Sequence, residues 1–447
     1  MRRAMSTYGE EQAKAILDKA IASSKADQCT ATLTGSSGGN VRYALNEVST
    51  SGHVSDAELA VEVAFGKRIG TATINRFDAA SIEAVVRRAE ELARLAPDNP
   101  EFMPAIETQR YKPSAAFVER TAKITPEYRA QVAADCIEPC RKDKLVAAGF
   151  FSDAHTIAAT ANSKGNFGYH ESAAMDFTCT VRTDDGRGSG WVARNLLDVA
   201  KFDAKNEVRT AIENAKRSVE AKTLEPGKYT VVFEPQALAP LMLFLGFDAR
   251  EADEGRSFLS KKGGGSRAGD RVFGDVVTLY SDPWDAEIPI SPWDAEGVAR
   301  ERLPIVTKGT VEPLQYTRYW AQQKGTRPAG QMGNLIMSGT GQSTMDLVRS
   351  TRKGLLVTHT HYVNIADPQT VLLTGLTRDG TFYIENGEIK YPIKNFRFLE
   401  SVVVMLNNIE GIGAPERLLT MYDAQFPMRL PPIKVRDFTF TSLSDAV

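Results

Sequence analysis

The order of helical and strand patterns is the feature that most constrains how this chain can fold. Amphipathic helical spacing occurs in four segments of the first half: 10–24, 81–96, 125–135 and 205–221. Strand patterns stand between these helices and dominate after residue 354, where Asn386-Gly387 predicts a tight hairpin turn. Because strands and helices do not alternate regularly, the sequence predicts an α+β fold.

The Glu225-Pro226-Gly227 segment is a strong chain breaker, and it predicts a domain boundary. We expect an N-terminal α/β domain over 1–225 and a β-rich C-terminal domain of mostly antiparallel strands over 226–447. Within them, the pattern predicts a turn at Gly35–Asn40, separate strands at 145–151 and 156–162, and a helix through Pro235–Phe247.

Charge and hydropathy exclude two classes of partner. Lys and Arg total 54 against 56 Asp and Glu, so the chain lacks the basic footprint typical of nucleic-acid binding. The longest apolar stretch is the eleven residues 237–247, short of the ~20 that span a bilayer. Residues 4–12 contain no apolar core of a signal peptide, so we expect a cytoplasmic protein without membrane contact.

Metal ligands are scarce, with five His and four Cys in 447 residues. A zinc-protease helix carries two His one turn apart with a Glu beside the first. His170-Glu171 is the one His-Glu pair, but Ala174 and Met175 follow where a second His would be needed. We interpret His170 as a structural polar residue near a strand start.

His359 and His361 form a more suggestive pair. Side chains at i and i+2 of a strand point to the same face, so these two could share a metal ion. A third ligand would have to come from elsewhere, and Asp367 is a candidate only by its proximity in sequence. A hydrogen-bonded pair facing a cleft or an interface is the favoured interpretation.

Other catalytic motifs are incomplete. Cys136 and Cys140 lack the second Cys pair of common zinc sites. The glycine-rich segment 264–270 has Asp270 where a phosphate loop requires Lys. At Gly186–Gly190, Gly188 stands where the G-x-S-x-G nucleophile motif requires Ser. The residues taken alone therefore indicate an α+β protein without a recognised catalytic motif.

Several motifs, in their order and spacing, are nevertheless similar to those of one family. They are Arg68–Thr73, Asn162–Gly165, Ser189–Trp191, Ser291–Ala299, Val311–Ala321, Gly354–Thr358, Thr374–Phe382 and Ile384–Lys394. Together they resemble the TldD/PmbA (TldD/TldE) family and extend over nearly the whole chain. The resemblance implies a two-domain fold and a cytoplasmic two-subunit metalloprotease that acts on peptides or unfolded polypeptides.

In that family, the TldD-type subunit holds zinc with an H-E-x-x-x-H helix and with a Cys late in the sequence. The TldE/PmbA-type subunit lacks all of these ligands. Here Val231–Phe258 takes the place of the zinc helix and contains neither His nor Cys, and no Cys follows Cys179. The resemblance therefore implies the metal-free subunit. No catalytic residue or metal ligand carries over, and zinc is expected in a TldD-like partner.

The candidate substrate-lining residues are Phe247, Asp248, Arg256, His359 and His361. Two alternatives remain open. The chain could be a self-sufficient metal-dependent peptidase that uses His359, His361 and a carboxylate, or a non-enzymatic regulator that binds another protein. A homodimer is the alternative assembly when the partner is absent.

Overall fold

The computed structural model describes residues 7–419 and 426–444. Its α-helices are α1 Glu10–Ser23, α2 Ala79–Leu95, α3 Glu119–Ala122, α4 Pro126–Lys142, α5 Ala204–Arg217, α6 Pro235–Met242, α7 Ala249–Asp253, α8 Arg318–Gln323, α9 Thr344–Arg349 and α10 Val402–Asn407. In the described ranges, no helix is both long enough and apolar enough to cross a bilayer.

One sheet of six antiparallel strands organises the first half. Its strands are β1 Gln28–Ala44, β2 Glu47–Phe65, β3 Arg68–Ile74, β4 Leu145–Asn162, β5 Phe167–Thr183 and β6 Ser189–Leu196. The strand order is β3-β2-β1-β4-β5-β6, which leaves β6 at one edge.

The two faces of this sheet differ in polarity. Odd-numbered residues of β1, such as Leu33 and Tyr43, are buried under the helices. Helices α1 and α2 cover one end of that face, and α4 and α5 cover the other. Even-numbered residues of β1, such as Thr34 and Ser36, point the opposite way, because successive side chains of a strand alternate.

The predicted turn at Gly35–Asn40 is wrong, because this segment continues β1 in register with both β2 and β4. A Cβ atom at Gly38 would lie 2.0 Å from the carbonyl oxygen of Asp153 on β4. The glycine therefore permits a close approach of two strands, not a reversal of the chain. The strands predicted at 145–151 and 156–162 are likewise the single strand β4.

The second half contains a nine-stranded sheet and a smaller six-stranded sheet. The nine strands are β7 Lys228–Phe233, β12 Lys353–Val357, β13 Thr360–Asp367, β14 Leu372–Thr377, β15 Thr381–Glu385, β16 Glu388–Pro392, β17 Phe396–Ser401, β18 Ile409–Ile412 and β21 Ile433–Leu443. The smaller sheet comprises β8 Leu279–Ser281, β9 Leu303–Thr307, β10 Thr310–Val311, β11 Leu335–Met337, β19 Glu416–Leu418 and β20 Met428–Leu430. Most of the strand pairs are antiparallel, so the predicted α+β class is confirmed.

Helix α6 follows β7 and is shorter than predicted. The helix ends at Met242, five residues before Phe247. Hydrogen bonds from Phe244 N to Leu241 O and from Leu245 N to Met242 O tighten the chain beyond it, and Gly246 then separates α6 from α7. The apolar run was misleading because nearly all of its side chains are buried in the core or pack against it, which gives no helical period.

Candidate functional site

A cleft of about 900 Å³ lies between the polar face of the first sheet and the second half of the chain. The cleft floor consists largely of even-numbered side chains from four strands: Thr34, Ser36, Asp56, Glu58, Ser152, Thr156, His170, Ser172 and Asp176. The opposite wall includes Arg300, Met332 and Arg417. The alternation of the strands therefore gives one large cavity with a polar floor.

Charged groups of both signs meet in this cleft. Burial lowers the pKa of Arg417 to about 10, so its guanidinium stays charged at neutral pH, and its Nε donates to Asn195 Oδ1 at 2.5 Å. Burial, and then the charge of Arg300, lower the pKa of His170 to about 4. His170 is therefore uncharged at neutral pH, and it lies near the start of β5, as predicted.

Edge strand β6 joins the first sheet to the second half. On the cleft side of β6, the indole ring of Trp191 stacks on the imidazole ring of His359, with centroids 3.9 Å and planes 11° apart. Leu419 and Ala193 complete a small apolar cluster with Trp191. The sequence favours a hydrogen-bonded pair of His359 and His361 facing a cleft or an interface, and His359 lies at the contact between the first sheet and the second half.

A buried hydrogen-bond chain continues from that stack. Asp379 Oδ2 lies 3.0 Å from His359 Nδ1, and Asp379 Oδ1 accepts from the hydroxyl of Ser189 on β6. Burial alone would raise the pKa of Asp379, but these hydrogen bonds and nearby positive charge hold it below its usual value. Because an ionised carboxylate only accepts, His359 Nδ1 carries the proton.

The order of these three residues differs from that of a hydrolase triad. In a triad, the His accepts the proton of the Ser and the Asp orients the His. Here Asp379 stands between Ser189 and His359, and it accepts from both. The arrangement therefore holds the two halves together and does not activate the hydroxyl as a nucleophile.

The structure brings His359 and His361 together, with ring centroids 5.9 Å apart. Burial, and then the charge of Arg378, lower the pKa of His361. Asp367 lies at the far end of β13, roughly 20 Å along the strand from His361 at ~3.3 Å per residue. It accepts from Thr370 Oγ1 at 2.6 Å, so it does not complete a site with the two His.

Three of the candidate substrate-lining residues lie around the short helix α7, namely Phe247, Asp248 and Arg256. Phe247 packs edge-on against Phe258 with centroids 6.0 Å apart, and it also lines a small cavity beside β9. Asp248 caps the helix by accepting from Glu251 N at 2.8 Å. Arg256 is exposed and pairs with Glu254 at 2.6 Å. Each has a local structural contact, and a substrate-lining role for them stays a prediction.

Side-chain hydrogen bonds join the start of helix α6 to two neighbouring segments of the chain. The Gln236 side chain donates to Leu419 O at 2.7 Å and accepts from Leu419 N at 3.1 Å. These are the two backbone hydrogen bonds that a neighbouring strand would make with Leu419. Thr360 Oγ1 donates to Ala237 O at 2.7 Å. These contacts place the beginning of α6 beside β19 and the His-bearing strand β13.

Carboxylates gather around one guanidinium where α6 meets β6. The Nε atom of Arg194 donates to Glu207 Oε1 at 2.8 Å, and Glu234 and Glu416 lie within electrostatic range. Burial raises the pKa of Glu234 to about 7, an effect that Arg194 opposes and Glu416 increases. Burial also raises the pKa of Glu207. We call Glu207, Glu234 and Glu416 the carboxylate cluster.

Sequence reasoning did not find this cluster or the role of Asp379. The cluster's members come from α5, the β7–α6 junction and β19, and no local spacing connects them. One signal was available, because Glu234 interrupts an apolar run between a strand and Pro235. For Asp379, the Arg378-Asp379-Gly380 segment indicated only a turn, and Asp379 adopts a left-handed φ of 53° there.

Across residues 7–419 and 426–444, no group of three or more His, Cys, Asp or Glu side chains is arranged to hold a metal ion. Among the donors beside α6, Gln236 is already bonded to the backbone of Leu419, and Glu234 at the helix start makes no capping hydrogen bond. These residues do not fit a zinc ion, which takes three protein ligands in catalytic sites.

Family models match three consecutive parts of the chain. Residues 32–93 match domain 1 of the PmbA/TldA metallopeptidases, 112–219 match the central domain, and 226–442 match the C-terminal domain. These matches cover most of the chain and follow the order of the family.

Individual relatives agree with the models. Metalloprotease PmbA of Escherichia coli O157:H7 is 23% identical over 437 residues, which cover 92% of this chain and 95% of that protein. A metalloprotease of Methanothermobacter thermautotrophicus is 22% identical over 60% of this chain and 62% of its own length. The crystal structure of TldE from Thermococcus kodakarensis superposes with a TM-score of 0.85 at 18% identity, covering 96% of this chain and 99% of that one.

Proposed function

The chain belongs to the PmbA/TldD metallopeptidase family, and we propose that it is the TldE/PmbA-like subunit of a two-subunit protease. In this proposal a TldD-like partner holds the zinc ion, and this chain helps to enclose and position the peptide substrate. The complex acts in the cytoplasm on peptides or unfolded polypeptides.

The observation that carries the proposal is the chemistry of the segment around α6. The family resemblance places the zinc helix there, yet Val231–Phe258 contains neither His nor Cys. The segment instead supplies apolar side chains to the core, with Gln236 and Glu234 as the polar groups at its start. Hydrolysis with zinc needs three ligands and an open water position, so a second subunit would have to supply them.

Two features support a substrate-positioning role. The cleft of about 900 Å³ is large enough for a short peptide, and both polar and apolar groups line it. Strand β13 lies at the edge of the nine-stranded sheet and carries the exposed residues Tyr362 and Ile365. An edge strand can add an extended peptide through main-chain hydrogen bonds, while side-chain pockets select its sequence.

Purification of the tagged chain from its native host, followed by zinc analysis, tests the proposal. We expect a TldD-like protein to co-purify and zinc to be found only in the complex. Repeated recovery of a lone, metal-free chain without a TldD-like partner would contradict the two-subunit assignment and favour a protein-binding regulator.

The variant His359→Ala/His361→Ala separates the proposal from its main alternative. The proximity of the two rings is the observation that favours a self-sufficient metal peptidase. If the proposal is correct, the zinc content of the complex is unchanged by the double substitution. Stoichiometric zinc in the lone chain that disappears in the variant would establish the alternative instead.

A further inference from the structure

We propose that the large cleft binds short peptides by their two charged ends, with the C-terminal carboxylate at Arg300 and the N-terminal ammonium at Asp56 and Glu58. The proposal deepens the proposed function and rests on it, because a peptide is taken to be the ligand of this chain. It adds a direction and a preferred length to the binding of that peptide.

Paired residues of four neighbouring strands form a row across the cleft floor. Glu58 on β2 pairs with Thr34 on β1, which pairs with Ala158 on β4. Ala158 pairs in turn with His170 on β5, and all four residues line the cleft. Three strand spacings of about 4.8 Å separate the two ends, so the row is roughly 14 Å long. Asp56 begins the adjacent row, two residues along β2.

The guanidinium of Arg300 lies beside the His170 end of this row. The rings of His170 and Trp293 are nearly perpendicular, with centroids 6.3 Å apart. Arg300 Nη1 donates to Trp293 O at 2.5 Å and to Ser291 O at 3.0 Å, and Nε donates to Gln331 O at 2.8 Å. Within the described residues, Nη2 makes no hydrogen bond and is not among the buried atoms without a partner, so it is accessible to a ligand.

Other charged groups in the cleft already have partners. Asp153 forms a buried ion pair with Arg129 at 2.5 Å. Asn195 accepts from Arg417 Nε and donates to Asp176 Oδ1, so it joins a guanidinium to a carboxylate. These groups therefore leave little charge for a ligand to neutralise.

Arg300, Asp56 and Glu58 differ from those groups. Asp56 and Glu58 are exposed, and neither forms an ion pair with another described residue. Arg300 forms none either in the described part of the chain. Asp294 lies within electrostatic range of it, but the oxygens of Asp294 accept from backbone amides. The cleft therefore offers unneutralised negative charge at one end of the row and positive charge at the other.

An unblocked peptide carries the complementary charges. At neutral pH its N-terminus is an ammonium and its C-terminus is a carboxylate. A guanidinium is suited to bind a carboxylate, and an ammonium has three donors for two carboxylates. An extended chain spans about 3.3–3.6 Å per residue, so about four residues match a row of roughly 14 Å. A dipeptide is too short to reach both ends, and a much longer extended peptide cannot place both termini in the cleft.

Calorimetric titration of the purified full chain with alanine peptides tests the site. The probes are the tetrapeptide with free ends, its C-terminal amide and its N-acetylated form. We expect amidation to weaken binding about tenfold, because a charge-assisted hydrogen bond to Arg300 is lost. Acetylation should weaken binding about two- to fivefold, because Asp56 and Glu58 are exposed and solvent screens them.

Length provides a second criterion with the same measurement. The free tetrapeptide should bind more tightly than alanine dipeptide and alanine octapeptide. No detectable binding of the tetrapeptide at millimolar concentration, or equal affinities for the tetrapeptide and its amide, would overturn the proposal.

Arg300→Gln should abolish the preference for the free acid over the amide. Loss of this discrimination, and not of affinity alone, separates a ligand contact from a structural role. Arg302→Gln is the matched control, because Arg302 is exposed, pairs with Asp282 at 3.8 Å and does not line the cleft. Circular dichroism checks folding of both variants. A folded Arg300→Gln variant that still prefers the free acid would contradict the proposal.

The double variant Asp56→Asn/Glu58→Gln tests the other end at exposed positions, where folding is not at risk. It should bind the free and acetylated tetrapeptides equally and keep the effect of amidation. Glu47→Gln, also exposed on β2 but outside the cleft, is its control. An unchanged effect of acetylation in the double variant would overturn the proposal even if Arg300→Gln does not fold.

These measurements use the chain without a partner and need no zinc, so the two proposals can fail separately. Binding that depends on both peptide ends, in a chain that recruits no TldD-like protein, would contradict only the two-subunit assignment. A zinc-containing complex whose isolated chain binds the tetrapeptide and its amide equally would contradict only the recognition of the peptide ends.

Discussion

Trp191 and His359 are stacked at 3.9 Å although they are 168 positions apart (359 minus 191), with Trp191 on β6 and His359 between β12 and β13 of another sheet. The stack joins the edge of the first sheet to the segment just before β13, and Asp379 bonds the imidazole nitrogen Nδ1 at 3.0 Å. The two halves of the chain are therefore joined by an apolar contact supported by a buried hydrogen bond.

Trp191→Ala should lower the free energy of unfolding by about 3–5 kcal/mol, the usual cost of removing a buried Trp side chain. Urea denaturation measures this loss. Trp284→Ala is the control, because Trp284 is only half-buried and bonds Lys112 O at 3.1 Å near the surface. A smaller loss is expected there, and equal losses in the two variants would contradict the importance of the stack.

His359→Asn should preserve more stability than His359→Leu. The Asn amide can still donate to Asp379, whereas Leu leaves a buried carboxylate with fewer donors. We expect the Leu variant to be less stable than the Asn variant by about 1–3 kcal/mol in urea denaturation. Similar stability of the two variants would show that packing, and not the hydrogen bond to Asp379, accounts for the contribution of His359.

Glu234→Gln should change how stability depends on pH. The folded pKa is about 7 and the unfolded value is about 4.3, so between these values the folded chain keeps a proton that the unfolded chain has released. Wild-type stability should therefore fall as pH rises from about 4.3 to 7, by at most ~1.4 kcal/mol per pH unit from this group, and then level off.

The Gln variant should lack that contribution, so its stability relative to the wild type should increase across the same range. Thermal unfolding followed at several pH values measures the difference, with Glu410→Gln as the control. Parallel curves for Glu234→Gln and the wild type would contradict the raised pKa.

Gly190→Ala should destabilise the contact between β6 and α5. A Cβ atom at this position would lie 2.2 Å from Ala211 O, so the helix would have to move. Overpacking of this kind costs about 1–3 kcal/mol. Gly246→Ala is the matched control, because a Cβ there meets nothing within 4 Å. Equal melting temperatures for the two variants would show that α5 adjusts without cost.

The helices were predictable because their signals are local. Asp78 accepts from Ser81 N at 3.0 Å at the start of α2, and Pro126 occupies the first turn of α4, so both helix starts carry residues that favour a start locally. Residues i and i+2 of a strand point to the same face, and this rule correctly predicted that His359 and His361 lie close together. His359 nevertheless precedes β13 and does not belong to it.

The remaining features depend on contacts between distant segments. The glycines of β1 led to the prediction of a turn. Their actual role, a close approach to β4, depends on a distant segment and cannot be recognised from the neighbouring residues. Ser189 and Asp379 are joined across 190 positions, and the carboxylate cluster combines residues from three parts of the chain. Patterns along one sequence do not record such pairings, and the family resemblance supplied the functional expectation instead.

Zinc analysis of the chain purified from its native host, alone and with the protein that accompanies it, tests the central claim most directly. We predict no stoichiometric zinc in the isolated chain, and about one zinc ion per complex once a TldD-like partner is present. Stoichiometric zinc in the isolated chain would contradict the assignment of the metal site to the partner.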